Sequence, residues 1–256
     1  PIIFIAIAYR ELNRVIPDCG TTFTWGTKAF NPRVGWMGGW GVAVAGVIFM
    51  ANAADIVGIY AVELYGAVTG NPDPSELAQN KIIVAAIGVL FIVVMSAINY
   101  RGIEGGARMQ YFMVAVQFLA LAAIIVAAFW HVSQGTQNPD AEPFSLSWFD
   151  PFQIDSFSAF VQAALLAIFI FWGFDTTLAI NEETTDSERT PGRAAVLSTV
   201  ILLGTYVLVT VALQMYAGVE KSGLGSKKNA DDVFAVVAEP LLGSWGLPLL
   251  LLAVLL

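Results

Sequence analysis

Residues 171–193, with the sequence FWGFDTTLAINEETTDSERTPGR, are the part of the chain best equipped to hold a charged solute. They continue an apolar run that is long enough to enter a bilayer, yet Gly173 and Asp175 stand among the apolar residues. A charged side chain is unfavourable in lipid, and an interrupted helix leaves peptide groups that protein, water or a ligand must satisfy. We therefore expect this segment to bind a solute within the membrane.

The composition on both sides of Gly173 is helical, so the segment predicts a discontinuous helix. The facing ends of two half-helices carry partial charges of about ±0.5, which suit a zwitterion. We predict that the solute is bound by Phe171, Trp172, Gly173, Phe174 and Asp175, with its ammonium group on carbonyl oxygens or on the carboxylate. The alternative is a simple kinked helix in which Asp175 pairs inside the bundle.

A second polar candidate lies in another apolar run. Asn52 falls near the middle of the run 36–62, and polar residues at that depth usually face the interior of a helix bundle. We predict that Asn52 lines the solute cavity. The alternative is a hydrogen bond between helices, which contributes only about 0.6 kcal/mol on average.

Charged residues follow the predicted break, at what would be its inner mouth. We expect four of them to form a cytoplasmic gate whose salt bridges break on opening: Glu182, Glu183, Arg189 and Arg193. Surface charges in contact with water are the alternative. The rings of Trp172 and Phe174 flank the break and are expected to cover the solute as a thin gate, with packing as the alternative.

The elements that must position these residues are apolar helices. The chain is 57% hydrophobic and only 12% charged, whereas a soluble domain carries about 25% charged residues. Apolar runs near the ~20 residues that a spanning helix needs occur at 36–62, 82–98, 111–130, 157–180, 194–217 and 241–256. They are continuous, unlike the alternating ~10-residue segments of a barrel. We predict an all-α polytopic membrane protein in which residues 1–256 form a single transmembrane domain.

Arginine and lysine are distributed unevenly between alternate loops. Loops 10–35, 99–110 and 181–193 hold eight of these residues, and the loops between them hold four. Since basic residues of short loops concentrate on the cytoplasmic side, we expect the first set to be cytoplasmic in a multi-pass protein of the plasma membrane.

Three motifs resemble those of the amino acid–polyamine–organocation (APC) permeases. F-W-G-F-D-T-T…N-E-E-T…S-E-R-T-P-G-R resembles the family's sixth helix and the loop after it. Y-R-E-L-N-R…F-N-P-R-V-G-W-M-G-G-W (9–40) is similar to the motif between helices two and three, and I-N-Y-R-G-I-E-G-G-A-R (98–108) to that between helices four and five. Together they cover nearly all 256 residues in the family's order.

This resemblance implies a partial LeuT-type inverted-repeat fold, from the middle of helix two to helix eight, that works by alternating access. Both termini fall within apolar runs, and we expect an internal fragment that lacks the first helix and the helices after the eighth. Asp175 occupies a position where relatives place an acid linked to proton coupling, and desolvation there would favour the protonated carboxyl. A permanently ionised structural acid is the alternative. Gln117 stands where some members carry a lysine in place of a sodium ion, which argues against lysine-based coupling.

The resemblance and the residues together predict a secondary-active permease for an amino acid or related amine, proton-coupled or exchanging. A sodium-coupled transporter of the same fold and a transporter-like sensor are the alternatives. An enzyme is not expected, because the sequence shows no acid–base dyad, no nucleophile with a base and no metal-ligand set. The expected partners are the solute, the lipid bilayer and H⁺, with Na⁺ less favoured, and we expect no cofactor, metal or nucleic acid.

Overall fold

The computed structural model describes residues 2–69, 77–78, 80–154, 156–219, 223–224 and 233–255. These residues form helices joined by turns, and no strand occurs among them. The α-helices are α1 (Ile2–Val15), α2 (Thr22–Ala29), α3 (Pro32–Thr69), α4 (Lys81–Tyr100), α5 (Ile103–Ser133), α6 (Phe157–Ile170), α7 (Thr176–Ala179), α8 (Thr190–Ala217), α9 (Val233–Leu242) and α10 (Gly246–Leu255).

Polar caps at the helix starts explain several of these boundaries. The side chain of Asn31 accepts hydrogen bonds from the amides of Arg33 and Val34 at the start of α3. Asn80 caps α4 in the same way, and Ser156 caps α6 through the amide of Ala159. Such side chains satisfy amides that have no partner within the helix, so the chain enters each long helix at a defined residue.

In the part of the chain that the structure describes, five helical segments are long and apolar enough to cross a membrane. They are Pro32–Thr69, Lys81–Tyr100, Gly105–Ser133, Thr190–Ala217 and Val236–Leu255. Between 6% and 39% of each apolar window is buried within the described protein, so most of the apolar surface of these segments faces outward. The prediction of an all-α polytopic membrane protein is confirmed.

The predicted helix over 157–180 is wrong in its extent. Helix α6 ends at Ile170 after 14 residues, which is about 21 Å of helix and less than the ~30 Å hydrocarbon thickness. Turns and the single turn of α7 follow it. Helix α9 begins at Val233, and residues 225–232 before it lie outside the described residues.

The chain divides into two compact units. The first comprises Pro1–Gly46 and Ser145–Val207, and its core is formed by Trp25, Leu178 and Ala195. Tyr9, Ile16 and Phe174 pack around that core. This unit contains α1, α2, α6, α7 and the residues predicted to bind the solute.

The second unit comprises Val47–Phe144 and Leu208–Leu256. Ile124, Tyr216 and Val237 belong to its core. Helices α3 and α4 approach each other at glycines: a Cβ on Gly58 would collide with the carbonyl oxygen of Val84, and one on Gly88 would collide with that of Ala54. Small residues allow such backbone contact between membrane helices.

The segment before residue 145 is tied to the end of α8 within the same unit. The amide of Asn138 donates to the carbonyl oxygen of Tyr216 at 2.9 Å. The Gln214 side-chain amide donates to Glu142 Oε2 at 3.1 Å. The segment is therefore held to α8 by both backbone and side-chain hydrogen bonds.

Candidate functional site

The helical ladder is interrupted at residues 171–175, within the first unit. Gly173 has a φ of +97°, a left-handed conformation that residues with a side chain rarely adopt. An added Cβ would meet only Thr176 Oγ1, at 3.9 Å, so backbone conformation rather than crowding makes glycine suitable here. The interruption predicted from the sequence is therefore present at the expected residues.

The last carbonyl oxygens of α6 accept hydrogen bonds from within the protein. The Phe169 carbonyl accepts the amide of Trp172 at 3.1 Å, and the Tyr206 hydroxyl donates to the Ile170 carbonyl at 3.3 Å. After the break, α7 has only four residues, which gives it little of the dipole of a longer helix. The break therefore lacks a strong positive helix end, and both of these α6 carbonyls have partners within the protein.

The five residues predicted to bind the solute point to different surroundings. Phe171 is buried and packs edge-on against Tyr206, with 5.3 Å between the ring centroids. Trp172 is 44% exposed, whereas Gly173, Phe174 and Asp175 are half-buried. Asp175 precedes α7, but its carboxylate makes no capping hydrogen bond to that helix. One face of the break is therefore packed, and the other carries an indole and a carboxylate.

Aromatic packing fixes the residue before Asp175. The ring of Phe174 lies 5.5 Å from that of Tyr9, which in turn meets Trp25 edge-on at 5.3 Å. The indole Nε1 of Trp25 donates to the Ile16 carbonyl at 3.0 Å. The break is thus supported by α1 and α2, a role that sequence reasoning did not assign to Tyr9 or Trp25.

A buried pair of asparagines lies beyond the break. Asn13 and Asn181 are both fully buried, and Asn181 Nδ2 donates to Asn13 Oδ1 at 2.9 Å. Asn13 Nδ2 donates to the Ser187 carbonyl at 2.7 Å. The pair joins α1 to the segment that follows α7. An asparagine within the amphipathic run of α1 was the available sequence signal, and sequence reasoning missed it.

The other residue predicted to contact the solute is Asn52. Asn52 is exposed and belongs to the second unit, where its Nδ2 donates to the carbonyl of Ile48 one turn earlier in α3. Its predicted role in the solute cavity stays a prediction.

The residues predicted to form a gate lie on two features of the first unit. The amide of Cys19 donates to Glu182 Oε1 at 3.4 Å, whereas Arg189 and Arg193 line a charged cleft. Among the described residues, no ion pair joins any of Glu182, Glu183, Arg189 and Arg193. The gate stays a prediction.

A group of potential metal ligands involves the same loop. The ligand atoms of Asp18, Cys19 and Glu182 lie within 4.8 Å of one another. Hydrogen bonds from Thr24 and from the amide of Gly20 lower the pKa of Asp18. The thiol of Cys19 hydrogen-bonds to the Glu182 carboxylate, which raises the thiol pKa. That bond holds the thiol in its protonated form, which is not the form that binds metals.

Comparisons with known proteins agree with this architecture. The family model for amino acid permeases matches residues 1–256. A branched-chain amino acid permease, BcaP, of Lactococcus lactis subsp. cremoris is 24% identical over 84% of the chain and 46% of the relative's length. A low-affinity putrescine importer, PlaP, of Escherichia coli is 26% identical over 84% of the chain and 44% of that relative. An uncharacterized transporter of Mycobacterium tuberculosis is 28% identical over 84% and 43%.

The chain thus spans about half the length of the curated relatives that it matches. The match nevertheless covers the chain from end to end, and the described residues contain several helices able to span a membrane. The named relatives are transporters rather than enzymes. The chain belongs to the amino acid permease family, a family of multi-pass membrane transporters within the APC superfamily.

Proposed function

We propose that the chain forms part of a secondary-active permease for an amino acid or related amine, which works by alternating access in the plasma membrane. The solute's ammonium group binds at the break 171–175, on carbonyl oxygens at the end of α6 and on the Asp175 carboxylate. Relatives that are named as a branched-chain amino acid permease and a putrescine importer support this class of solute, since both substrates carry an ammonium group.

The observation that carries the proposal is the broken helix at Gly173. A break in an apolar helix leaves peptide groups that favour a polar ligand, and it is retained at the expense of regular hydrogen bonding. The half-exposed indole of Trp172 and the half-buried Asp175 are available on the same segment.

Proton coupling belongs to the same proposal and assigns the exchanged proton to Asp175. A carboxylate that alternately meets water and the desolvated site changes its proton affinity, which links solute movement to a proton gradient. The proton and solute gradients set the direction of that movement, and loops 10–35, 99–110 and 181–193 are proposed to face the cytoplasm. Retained uptake in sodium-free buffer would separate this mechanism from a sodium-coupled one.

The first experiment tests Asp175. Uptake of radiolabelled branched-chain amino acids and putrescine is measured in proteoliposomes across a range of pH. Asp175→Asn is expected to abolish either uptake or its pH dependence, because the amide neither pairs with an ammonium group nor exchanges a proton. Asp186→Asn, at an exposed acid of the following segment, is the matched control and should behave as wild type. Wild-type rates and pH profile in Asp175→Asn would remove this carboxylate from the mechanism.

The second experiment tests the break itself. Gly173→Leu places a large side chain on a left-handed backbone, which is unfavourable by about 1–3 kcal/mol and alters the break. If this free energy is lost from solute binding, the affinity should fall by about fivefold to about a hundredfold, since about 1.4 kcal/mol corresponds to a factor of ten. Gly204→Leu on α8, where an added Cβ meets nothing within 4 Å, is the control. Equal affinity in wild type and Gly173→Leu would favour a structural kink.

A further inference from the structure

A charged cleft of about 420 Å³ lies at the polar ends of α1 and α8. It is lined by Arg10, Glu11, Arg14, Glu188, Arg189 and Arg193, so four guanidinium groups and two carboxylates face it. All six residues belong to the first unit. The cleft is separate from the break, and it includes Arg189 and Arg193 of the predicted gate.

The arginines are arranged as two pairs, each spaced by four residues. Arg10 and Arg14 lie one turn apart on α1. Arg193 donates its amide to the Arg189 carbonyl at 3.0 Å, so these two residues are one turn apart at the start of α8. Residues four apart share a helix face, and each pair therefore presents two guanidinium groups to the same space.

The carboxylates neutralise only part of this charge. Glu11 accepts hydrogen bonds from Arg10 at 2.8 and 3.0 Å and from Arg14 at 3.4 Å. In the described part of the chain, neither Arg189 nor Arg193 has a carboxylate oxygen within 4.0 Å. With Glu188 included, four positive and two negative charges leave the cleft with a net charge of about +2.

Packing beneath the cleft holds its two sides at a fixed distance. Gly192 is buried, and a Cβ added to it would lie 2.7 Å from Arg10 Cγ and 3.0 Å from Arg10 Cα. Asn13 Nδ2 donates to the Ser187 carbonyl one turn below. The arginines therefore project from a preformed support, which lowers the entropy lost on binding an anion.

The cleft also lies at the boundary between polar and apolar sequence. Helix α1 runs from the apolar segment IIFIAIAY into RELNRV, and α8 runs from TPGR into AAVLSTVILLG. Arginines at such a boundary reach the depth of lipid phosphates. We propose that this cleft binds the phosphate group of an anionic phospholipid, with Arg189 and Arg193 as its main donors. Planar guanidinium groups bind phosphate oxygens in pairs, and anionic lipids are attracted to basic clusters at the membrane surface.

The test uses the purified protein in a neutral detergent and follows its thermal unfolding by tryptophan fluorescence. Dioctanoyl phosphatidylglycerol is titrated, and dioctanoyl phosphatidylcholine, with the same chains and no net charge, is the reference lipid. The anionic lipid should raise the unfolding temperature in a saturable and salt-sensitive manner, and the zwitterionic lipid should not. Equal effects of the two lipids would overturn the proposal.

Arg189→Gln/Arg193→Gln is expected to raise the half-saturating lipid concentration about 25-fold, at about fivefold for each charge. Lys28→Gln/Arg33→Gln removes two exposed charges outside the cleft and should leave the titration unchanged. If the half-saturating concentration rose equally in this control, the lipid would be attracted by general positive charge and not bound at the cleft. Should the glutamine variant fail to fold, Arg189→Lys/Arg193→Lys keeps the charge and must retain saturable binding that is weaker than wild type.

Inorganic phosphate, added alone at millimolar concentration, separates a lipid from a soluble anion. It is expected neither to stabilise the protein nor to compete with phosphatidylglycerol, because it lacks the acyl chains that keep the headgroup at the cleft. Stabilisation by phosphate alone would overturn the assignment to lipid. The readout is binding in the absence of solute, so this test does not depend on the transport proposal or on a gating role of the two arginines.

Discussion

Asn13→Ala is expected to be strongly destabilising, because Asn13 makes hydrogen bonds on both sides of a buried site. The substitution would remove the partner of the buried Asn181 side-chain amide and the partner of the half-buried Ser187 carbonyl. Each such group is unfavourable by about 1–3 kcal/mol, so the free energy of unfolding should fall by about 2–6 kcal/mol. Loss of packing around a fully buried side chain acts in the same direction.

Asn181→Ala should be milder, although the side chain is equally buried. Among the described residues, Asn181 Oδ1 is buried without a hydrogen-bond partner, so its removal relieves an unfavourable group. Only the bond to Asn13 Oδ1 is lost, and the expected decrease is about 1–3 kcal/mol. The double variant should fall short of the sum, because both changes remove the same hydrogen bond.

The measurement is equilibrium unfolding of the purified protein in mixed micelles with an increasing fraction of sodium dodecyl sulfate, followed by tryptophan fluorescence. Asn52→Ala is the matched control, because Asn52 is exposed and bonds only to a carbonyl of its own helix. The free energy of unfolding of Asn52→Ala should stay within about 0.5 kcal/mol of the wild-type value. The reasoning would be refuted if Asn13→Ala were no worse than this control, or if Asn181→Ala were the more damaging of the two buried changes.

Two further predictions concern the loop before α2. Thr24→Val removes the hydroxyl that donates to Asp18 at 2.7 Å, the largest cause of that carboxyl's lowered pKa. A carboxyl group whose pKa is lower in the folded than in the unfolded protein stabilises the fold at a pH above its unfolded pKa of about 3.9. This stabilisation is lost as the pH falls through the pKa of the folded state. The variant should therefore unfold at a higher pH on acidification, measured by thermal scans over the acidic range. Glu182→Gln removes the main cause of the raised pKa of Cys19, so alkylation of this thiol by a maleimide should accelerate at neutral pH.

Each of these two predictions has a control in the same chain. Thr27→Val, also on α2, removes a buried hydroxyl that has no partner among the described residues, and it should leave the acid transition in place. Equal acid shifts in the two threonine variants would contradict the assignment to Asp18. The sequence holds one cysteine, so the alkylation reports on Cys19 alone. Glu183→Gln is the control and should leave the alkylation rate unchanged. If Glu182→Gln also left the rate unchanged, the hydrogen bond between Cys19 and Glu182 would be contradicted.

The position of the break was predictable because its cause is local. Glycine tolerates a left-handed φ, and a polar residue beside it lowers the preference for an unbroken apolar helix. The extent of the break was not predictable. The chain after Ala179 turns so that Asn181 reaches Asn13, which is 168 residues away in sequence, and no local pattern encodes such a contact.

The start of helix α3 also differs from the position that hydropathy predicted. Hydropathy placed its start at residue 36, but the helix begins at Pro32. Asn31 as the cap and proline at the first helical position are strong start signals, and they outweigh the polar character of Arg33. The four arginines of the cleft were individually visible in the sequence, but their convergence depends on how α1 packs against Gly192.

The contact between α3 and α4 bears on how the chain is assembled during synthesis. The contact has two parts, and both join helices that are consecutive in the chain: Gly58 meets Val84, and Gly88 meets Ala54. The hairpin can therefore close as soon as its second arm has entered the bilayer, before any later helix exists. A bulky residue at either glycine would delay this early docking and expose the nascent pair to quality-control proteases.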